Sequence, residues 1–324
     1  MIPGTHSRAA AALALLCGVL NLQTQTANAS DADPATLLVR MATAVQSASY
    51  EGTVIRQTAG KEEVLKVVHT VSDGVVRERL IAQEGDGLEI IRNGNEVHVI
   101  LPERKSVLVE EWNDQGTLFS TLPSSNIQLG NEYDAAIVRR ERVAGRPAIV
   151  VAIRPHDEFR FGHRLWLDGE TGFPLQSRLI DTDGSTLEQV KFADIRFDGA
   201  VASGELKPTY STHSFKWYAE PGREVTPSVD ATWVSERLPS GFSLVSTQEE
   251  LMPGNEQPVI HMLFSDGVAS VSVFVDRADK AMQERSSVGS SNAYSTVIDG
   301  HRVTAIGGVP EQTVEQIASS MRLK

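Results

Sequence analysis

The stretch LWLDGETGFPLQSRLIDTDGSTLEQVKF, residues 165–192, contains the pattern that predicts the fold. Two Asp-Gly dipeptides, at 168–169 and 183–184, separate short runs rich in Leu, Ile, Val and Phe. Asp-Gly favours hairpins because Gly accepts a positive φ and Asp tolerates one. The same punctuation recurs as Asp-Gly at 73–74, 86–87, 198–199, 266–267 and 299–300, and as Asn-Gly at 93–94. We therefore expect consecutive antiparallel strands and a mainly β protein suited to binding.

Residues 1–29 have the pattern of a secretory signal peptide. Arg8 precedes an apolar run that is too short to span a bilayer, and Ala27 and Ala29 supply the small residues of a cleavage site. Cleavage after Ala29 would also remove Cys17, the one cysteine of the chain. The exported chain is then predicted to have no disulfide, no cysteine nucleophile and no thiolate metal site.

Composition excludes several classes of function. The formal net charge of −12 argues against nucleic acid as a partner, and the 41% hydrophobic content argues against global disorder. The sequence GFSLV at 241–245 departs from the nucleophile-elbow motif at its last position. His156, His163 and His261 show neither triad spacing nor the spacing of metal ligands. We expect no enzyme activity, no metal and no cofactor.

The order of patterns predicts two domains joined by a linker. Asp33 and Pro34 favour the start of a helix, and period-two strands then continue to about Phe197, which gives a large domain over 30–200. Residues 201–227 are rich in Gly, Pro, Ser and Thr and are predicted to form a linker without regular structure.

The remaining residues, 228–324, are predicted to form a smaller α+β domain. Strand patterns return after the linker, and Pro310 opens a closing helix whose apolar face includes Val314 and Met321. Residues 276–292 interrupt the strands, and their Ser and Gly content predicts a mobile loop.

Two local features suggest binding sites. The linker carries Trp217 and Tyr218, which either wedge the domains together or contact a partner. Between Arg139 and Arg164 there are seven arginines and three acidic residues, although the protein as a whole is acidic. Arginine binds phosphate and carboxylate groups in a bidentate manner, so this patch could bind a lipid headgroup or an acidic peptide. The alternative is a strand face that is simply exposed to solvent.

Four segments together resemble the MucB/RseB family. They are residues 165–192 quoted above, WVSERLPSGF at 233–242, HMLFSDGVASVSVFVD at 261–276 and GHRVTAIGGVPEQT at 300–313. The likeness covers nearly all of the exported chain, in order. It implies a large unclosed β-barrel domain with helices on its concave side, similar to the lipoprotein carriers LolA and LolB, followed by a small α+β domain.

The resemblance also implies a function. Such a protein is a periplasmic negative regulator of an envelope-stress sigma factor. It binds the periplasmic part of a single-pass inner-membrane anti-sigma factor, of the MucA/RseA kind, and protects it from proteolysis. Lipid or lipopolysaccharide relieves this inhibition. The main alternative is a periplasmic carrier of lipids or lipoproteins, and both a monomer and a homodimer stay open.

Within this interpretation, the sequence suggests two sets of site residues. The partner-binding candidates are Trp217, Tyr218 and Trp233. The lipid-binding candidates are Phe159, Phe161 and Leu165 as an apolar wall, and Arg139, Arg140 and Arg142 as headgroup ligands.

Overall fold

The computed structural model describes residues 33–111, 118–119, 122, 127, 129–197, 201, 204–219, 224–227, 232–251, 258–278 and 283–324. The predicted signal peptide and the Asp198-Gly199 turn lie outside these residues. The first described element is helix α1 (Pro34–Ser47), whose buried face includes Leu37, Leu38 and Met41. The predicted helix start is thus confirmed, although the side chain of Asp33 makes no capping hydrogen bond.

A sheet of twelve strands, the larger sheet, follows α1. Its strands are β1 (Tyr50–Thr58), β2 (Lys61–Ser72), β3 (Val75–Ala82), β4 (Glu89–Asn93), β5 (Glu96–Leu101), β6 (Ser106–Glu111), β7 (Tyr133–Val143), β8 (Arg146–Pro155), β9 (Gly162–Asp168), β10 (Pro174–Ile180), β11 (Thr186–Phe197) and β12 (Lys216–Ala219). Their order is β12-β6-β5-β4-β3-β2-β1-β11-β10-β9-β8-β7. The two end strands, β12 and β7, do not pair with each other, so the sheet is unclosed, as the resemblance implies.

The predicted Asx-Gly turns connect consecutive strands wherever the structure describes them. Asp73-Gly74 joins β2 to β3, and both residues have positive φ angles of 53° and 75°. Two turns without an Asx residue share this geometry: Ala59-Gly60, with φ angles of 51° and 77°, and Ala144-Gly145, with 50° and 74°. The sequence did not predict these two turns, because alanine rarely occupies the left-handed region.

The core of the larger sheet is centred on aromatic side chains. Tyr50 lies with its ring centroid 4.8 Å from that of Phe173, and Phe173 lies 5.8 Å from Phe192. Ala44 and Val45 of α1 pack against this cluster. Among the described residues α1 is the one helix beside the larger sheet, whereas the resemblance implies more than one.

The second part of the chain forms the smaller sheet, of seven strands. They are β13 (Glu224–Pro227), β15 (Ser243–Leu251), β16 (Val259–Ser265), β17 (Ser270–Arg277), β18 (Glu284–Val288), β19 (Ser291–Ile298) and β20 (His301–Gly307), in the order β13-β15-β16-β17-β20-β19-β18. Helix α2 (Glu311–Ser319) buries Val314 and Ile317, and the predicted closing helix is confirmed. A separate pair consists of β14 (Trp233–Ser235) and β21 (Met321–Leu323).

Three local predictions are wrong. The segment 201–227, predicted to lack regular structure, contributes β12 to the larger sheet and β13 to the smaller one. The segment 276–292, predicted to be a loop, contains β18, which pairs with β19. Met321, predicted on the face of the last helix, lies after it in β21. β12, β13 and β21 pair with strands that are distant in sequence, and β18 is a short strand whose residues are all exposed, so local pattern does not reveal them.

Candidate binding surfaces

Strand β12 places two exposed aromatic side chains at one edge of the larger sheet. Trp217 is 50% exposed and Tyr218 is 53% exposed. The Trp217 ring meets the ring of His98 edge-on, with centroids 5.2 Å apart. The backbone N of Lys216 donates to the carbonyl of Lys105 (2.9 Å), which fixes β12 against β6. Both predicted partner residues on this strand are therefore accessible, as protein-binding aromatic residues must be.

The chain reaches β12 through residues 204–215, which we call the strap. Beneath it, Arg79 and Glu89 form an ion pair of 2.6 Å, with their side chains 9% and 0% exposed. Arg79 also donates to the carbonyl of Glu205 (2.8 Å) and to the hydroxyl of Thr209 (2.6 Å). The backbone N of Thr209 donates to Glu89 (3.0 Å). The strap thus supplies partners that a buried ion pair needs, and it belongs to the larger sheet.

The predicted headgroup residues Arg139, Arg140 and Arg142 lie exposed on β7, the opposite edge of the larger sheet. Arg139 donates to the carboxylate of Glu141 (2.7 Å), and this hydrogen bond raises the pKa of Arg139 and lowers the pKa of Glu141. Arg142 donates to the carbonyl of Gly145 (2.8 Å). All three side chains are exposed, as an anion-binding edge requires.

The apolar candidates do not line an open surface. Phe161 is 5% exposed and Leu165 is 0% exposed, so both are packing residues in this structure. Phe159 is half-buried, and its carbonyl accepts a hydrogen bond from Thr313 (2.7 Å). Trp233, predicted at the partner surface, is 1% exposed in the core of the smaller sheet. Apolar residues of a strand do not reveal whether their face is covered, so the sequence did not predict the burial of Phe161, Leu165 and Trp233.

A cluster that sequence reasoning missed, which we call the junction, joins the two sheets. The side chain of Arg160 is 0% exposed, and its Nε donates to the carboxylate of Asp266 (2.6 Å). Arg160 also donates to the carboxylate of Asp157 and to the carbonyl of Ser240. The hydroxyl of Tyr133 donates to Asp266 (2.8 Å). The sequence assigned Arg160 to the arginine patch and Asp266 only to a turn, and nothing local connects them.

Electrostatics at the junction favour one charge state. Burial opposes the charge of Arg160, but hydrogen bonds to Asp266 and Asp157 outweigh it and raise the pKa of Arg160. Burial, followed by the charge of Asp266, raises the pKa of Tyr133, which therefore stays neutral. Burial lowers the pKa of His163 to about 4, against the charge of Asp266. At neutral pH the junction thus holds a cationic arginine and a neutral histidine.

A second contact joins the sheets at a different turn. The hydroxyl of Ser290, between β18 and β19, donates to the carboxylate of Glu188 on β11 (2.7 Å). A Cβ added at the neighbouring Gly289 would lie 2.9 Å from the side chain of Thr58, so the two backbones approach closely there.

One hydrogen-bonded array resembles a hydrolase triad. His261 lies 2.6 Å from the carboxylate of Glu250 through Nδ1 and 2.9 Å from the hydroxyl of Ser272 through Nε2. Ser272 lies within β17, whose backbone pairs with β16 on one side and β20 on the other. Its neighbouring amides are therefore used in the sheet and cannot form an oxyanion hole. The array links three neighbouring strands, and the backbone around Ser272 offers no oxyanion hole.

The described residues contain neither a metal cluster nor a membrane-spanning helix. No three His, Cys, Asp or Glu side chains in the described ranges come together as a metal site. In the same ranges, neither helix is long and apolar enough to cross a membrane.

Comparison with known proteins identifies the family. Residues 33–210 match the model of the MucB/RseB N-terminal domain, and residues 227–322 match that of the MucB/RseB C-terminal domain. The chain belongs to the MucB/RseB family. It is 33% identical to the sigma factor AlgU regulatory protein MucB of Pseudomonas aeruginosa, over 92% of each chain. It is 31% identical to the sigma-E factor regulatory protein RseB of Salmonella typhimurium, over 92% of this chain and 94% of the relative.

Solved structures of this family share the fold. The structure of the Pseudomonas aeruginosa MucA/MucB complex matches with a TM-score of 0.67 and 31% identity, over 90% of this chain and 99% of the other. A crystal structure of MucB matches with a TM-score of 0.57 and 27% identity, over 91% and 99%. MucB/RseB proteins are regulatory proteins and not enzymes, which confirms the non-enzymatic expectation.

Proposed function

We propose that this protein binds the periplasmic part of a membrane anti-sigma factor of the MucA/RseA kind and so keeps an envelope-stress sigma factor inactive. One observation carries the proposal. Both sheets of this chain match MucB in a solved structure of MucB in complex with the periplasmic part of MucA. That match has a TM-score of 0.66 and covers 90% of this chain and 99% of the other.

The described structure supports a binding role for this chain. Its larger sheet ends in two accessible edges, one with Trp217 and Tyr218 and the other with Arg139, Arg140 and Arg142. Shielding a peptide from a protease requires only that the peptide be held in a conformation that the protease cannot cut. The protein then acts by occupancy, and we infer that it does so in the periplasm after removal of residues 1–29.

We further propose that a lipid or lipopolysaccharide releases the partner. A ligand that binds the free regulator more tightly than the complex must weaken the complex by the same factor. Typical couplings of about 1–3 kcal/mol correspond to roughly 5–150-fold in affinity, enough to expose the partner. Arg139, Arg140 and Arg142 are exposed cations that suit an anionic headgroup.

Protease protection of the partner tests the proposal. The periplasmic part of the anti-sigma factor is incubated with a site-specific protease, with and without the purified chain, and then with added lipopolysaccharide. We expect the chain to slow cleavage and lipopolysaccharide to restore it. Unchanged cleavage at saturating chain would refute the shielding function. Transfer of lipid-modified protein between membranes, without protection, would favour the carrier instead.

A further inference from the structure

The outer side of β12 has no strand partner among the described residues. In a strand, successive residues direct their N–H and C=O groups to opposite sides. The N–H of Lys216 points to β6, where it donates to Lys105, so Tyr218 also faces β6 and Trp217 and Ala219 face away. No strand among the described residues pairs with this outer side. An edge of this kind is a template for an added strand.

The other edge of the larger sheet is less suited to strand addition. Strand β7 carries Arg139, Arg140 and Arg142 and has an irregular register between Ile137 and Arg139. Charged side chains and bulges are the features by which proteins discourage pairing at an edge. Among the four residues of β12, the one charged residue is Lys216, at its start.

The surface around β12 changes charge from one end to the other. Near its start lie three exposed cations, Arg104, Lys105 and Lys216, against the two carboxylates of Asp86 and Glu103. Near its end, where Ala219 pairs with Val109, the exposed carboxylates of Glu96 and Glu111 lie opposite each other on β5 and β6. This order of charges can select the direction of an added strand, because like charges across an interface oppose association.

A small pocket lies close to the start of β12. It has a volume of about 240 Å³ and is lined by Asp86, Leu88, Leu101, Glu103 and Arg104. Pockets for small-molecule ligands usually have roughly 300–1,000 Å³, so this one is of a size for a single side chain. The half-exposed ring of Trp217 offers a second apolar contact on the same edge.

We infer that an extended segment of the partner adds to the outer edge of β12 as a further strand. The segment has an acidic residue facing the Arg104–Lys216 end, a basic residue facing Glu96 and Glu111, and an apolar side chain against Trp217 or in the pocket. The backbone groups of Trp217 and Ala219 form the new ladder. This inference rests on the proposed function, because its occupant is the periplasmic part of the anti-sigma factor.

Hydrogen exchange tests the inference in the full chain. We expect the amides of Trp217 and Ala219, which face outward, to exchange at least tenfold more slowly in the complex than in the free chain. The amide of Lys216, which already donates to Lys105, serves as the internal reference. Unchanged exchange at Trp217 and Ala219 in a saturated complex would overturn the inference.

A pair of variants at one position gives a second test. Ala219→Pro removes an outward N–H and leaves the bonds between β12 and β6, whereas Ala219→Ser keeps the N–H and adds a polar atom. We expect Ala219→Pro to weaken partner binding at least tenfold relative to Ala219→Ser, at equal thermal stability. Equal affinities would overturn the inference and leave the proposed function standing. If the wild-type chain does not bind the partner at all, both the inference and the proposed function are refuted.

Discussion

At the scale of single residues, the burial of Arg160 has a clear electrostatic cost. Arg160 is a fully buried cation that satisfies two carboxylates and a carbonyl from different parts of the chain. Its ring neighbours, Tyr133 and Phe242, lie with centroids 5.5 Å and 5.2 Å from the guanidinium carbon. Removing such a partner leaves buried negative charge uncompensated, which is more costly than the loss of an exposed ion pair.

Replacing this cation should therefore destabilise the protein strongly. We expect Arg160→Met to lower the free energy of unfolding by about 3–5 kcal/mol, because Asp266 and Asp157 would lose their buried counterion. Urea unfolding measures the change, and Arg154→Met, at an exposed arginine of β8, is the matched control. Asp266→Asn in the Arg160→Met background should recover part of the loss. Equal effects of the two arginine changes would contradict the role of Arg160.

His163 should make stability depend on pH. The unfolded chain binds its proton with a pKa near 6.5, whereas the folded protein binds it only near 4. Between these values the unfolded state holds more protons, so stability rises with pH from about 4 to 6.5 and is lost on acidification through that window. The complete difference corresponds to about 3 kcal/mol.

The measurement is urea unfolding across that window for His163→Gln and for His213→Gln, at an exposed histidine. We expect a flatter dependence on pH in His163→Gln alone. The same flattening in both variants would show that the slope does not arise from the buried site.

The candidate site residues differ in burial. Trp217 and Tyr218 are exposed, as expected of aromatic residues that lie among Gly and Pro and have no local core to join. Trp233, Phe161 and Leu165 have the same chemistry but are buried by strands distant in sequence. Arg160 could not be distinguished from its exposed neighbours, since only the folded chain brings Asp266 to it.

At the scale of elements, the turns explain how far the sequence predicts this fold. Asx-Gly pairs marked the hairpins correctly, because Gly74, Gly87, Gly94, Gly184, Gly267 and Gly300 have positive φ angles that few other residues tolerate. Ala59-Gly60 and Ala144-Gly145 adopt the same geometry with an unfavourable first residue. Short edge strands such as β12 and β18 obtain their stability from the neighbouring strand, so their own residues carry little signal.

The Ala59-Gly60 turn offers opposite predictions at adjacent positions. Asn tolerates the left-handed region better than Ala, so Ala59→Asn should stabilise the exposed turn by about 0.5–1 kcal/mol. Gly60→Ala should destabilise it by about 1 kcal/mol, since φ is 77° although space is open. Gly204→Ala, also in open space but without a positive φ, is the control for thermal unfolding. Equal shifts in Gly60→Ala and Gly204→Ala would contradict the backbone argument.

At the scale of the whole molecule, the strap determines where the first part of the chain can be cut. The expected boundary near residue 200 would separate the larger sheet from β12 and from Glu205 and Thr209, which contact Arg79. The pair of Arg79 and Glu89 would then be exposed on one side, and β6 would become an open edge.

We therefore expect a chain of residues 30–219 to be more stable than one of residues 30–200. Thermal unfolding and light scattering compare the two, and the shorter chain should unfold earlier and self-associate through β6. Thr209→Val in the longer chain is the control for the strap contacts, because it removes the hydroxyl bond to Arg79 and keeps β12. Equal behaviour of the two lengths would show that the strap does not support the larger sheet.

The contact of Ser290 with Glu188 and the junction hold the smaller sheet to the larger one at two separate places. Because the two contacts involve different turns of the smaller sheet, a rotation of that sheet about one contact would break the other. A change in the relative orientation of the two sheets therefore requires at least one of these contacts to break, so we expect each contact to oppose such a change.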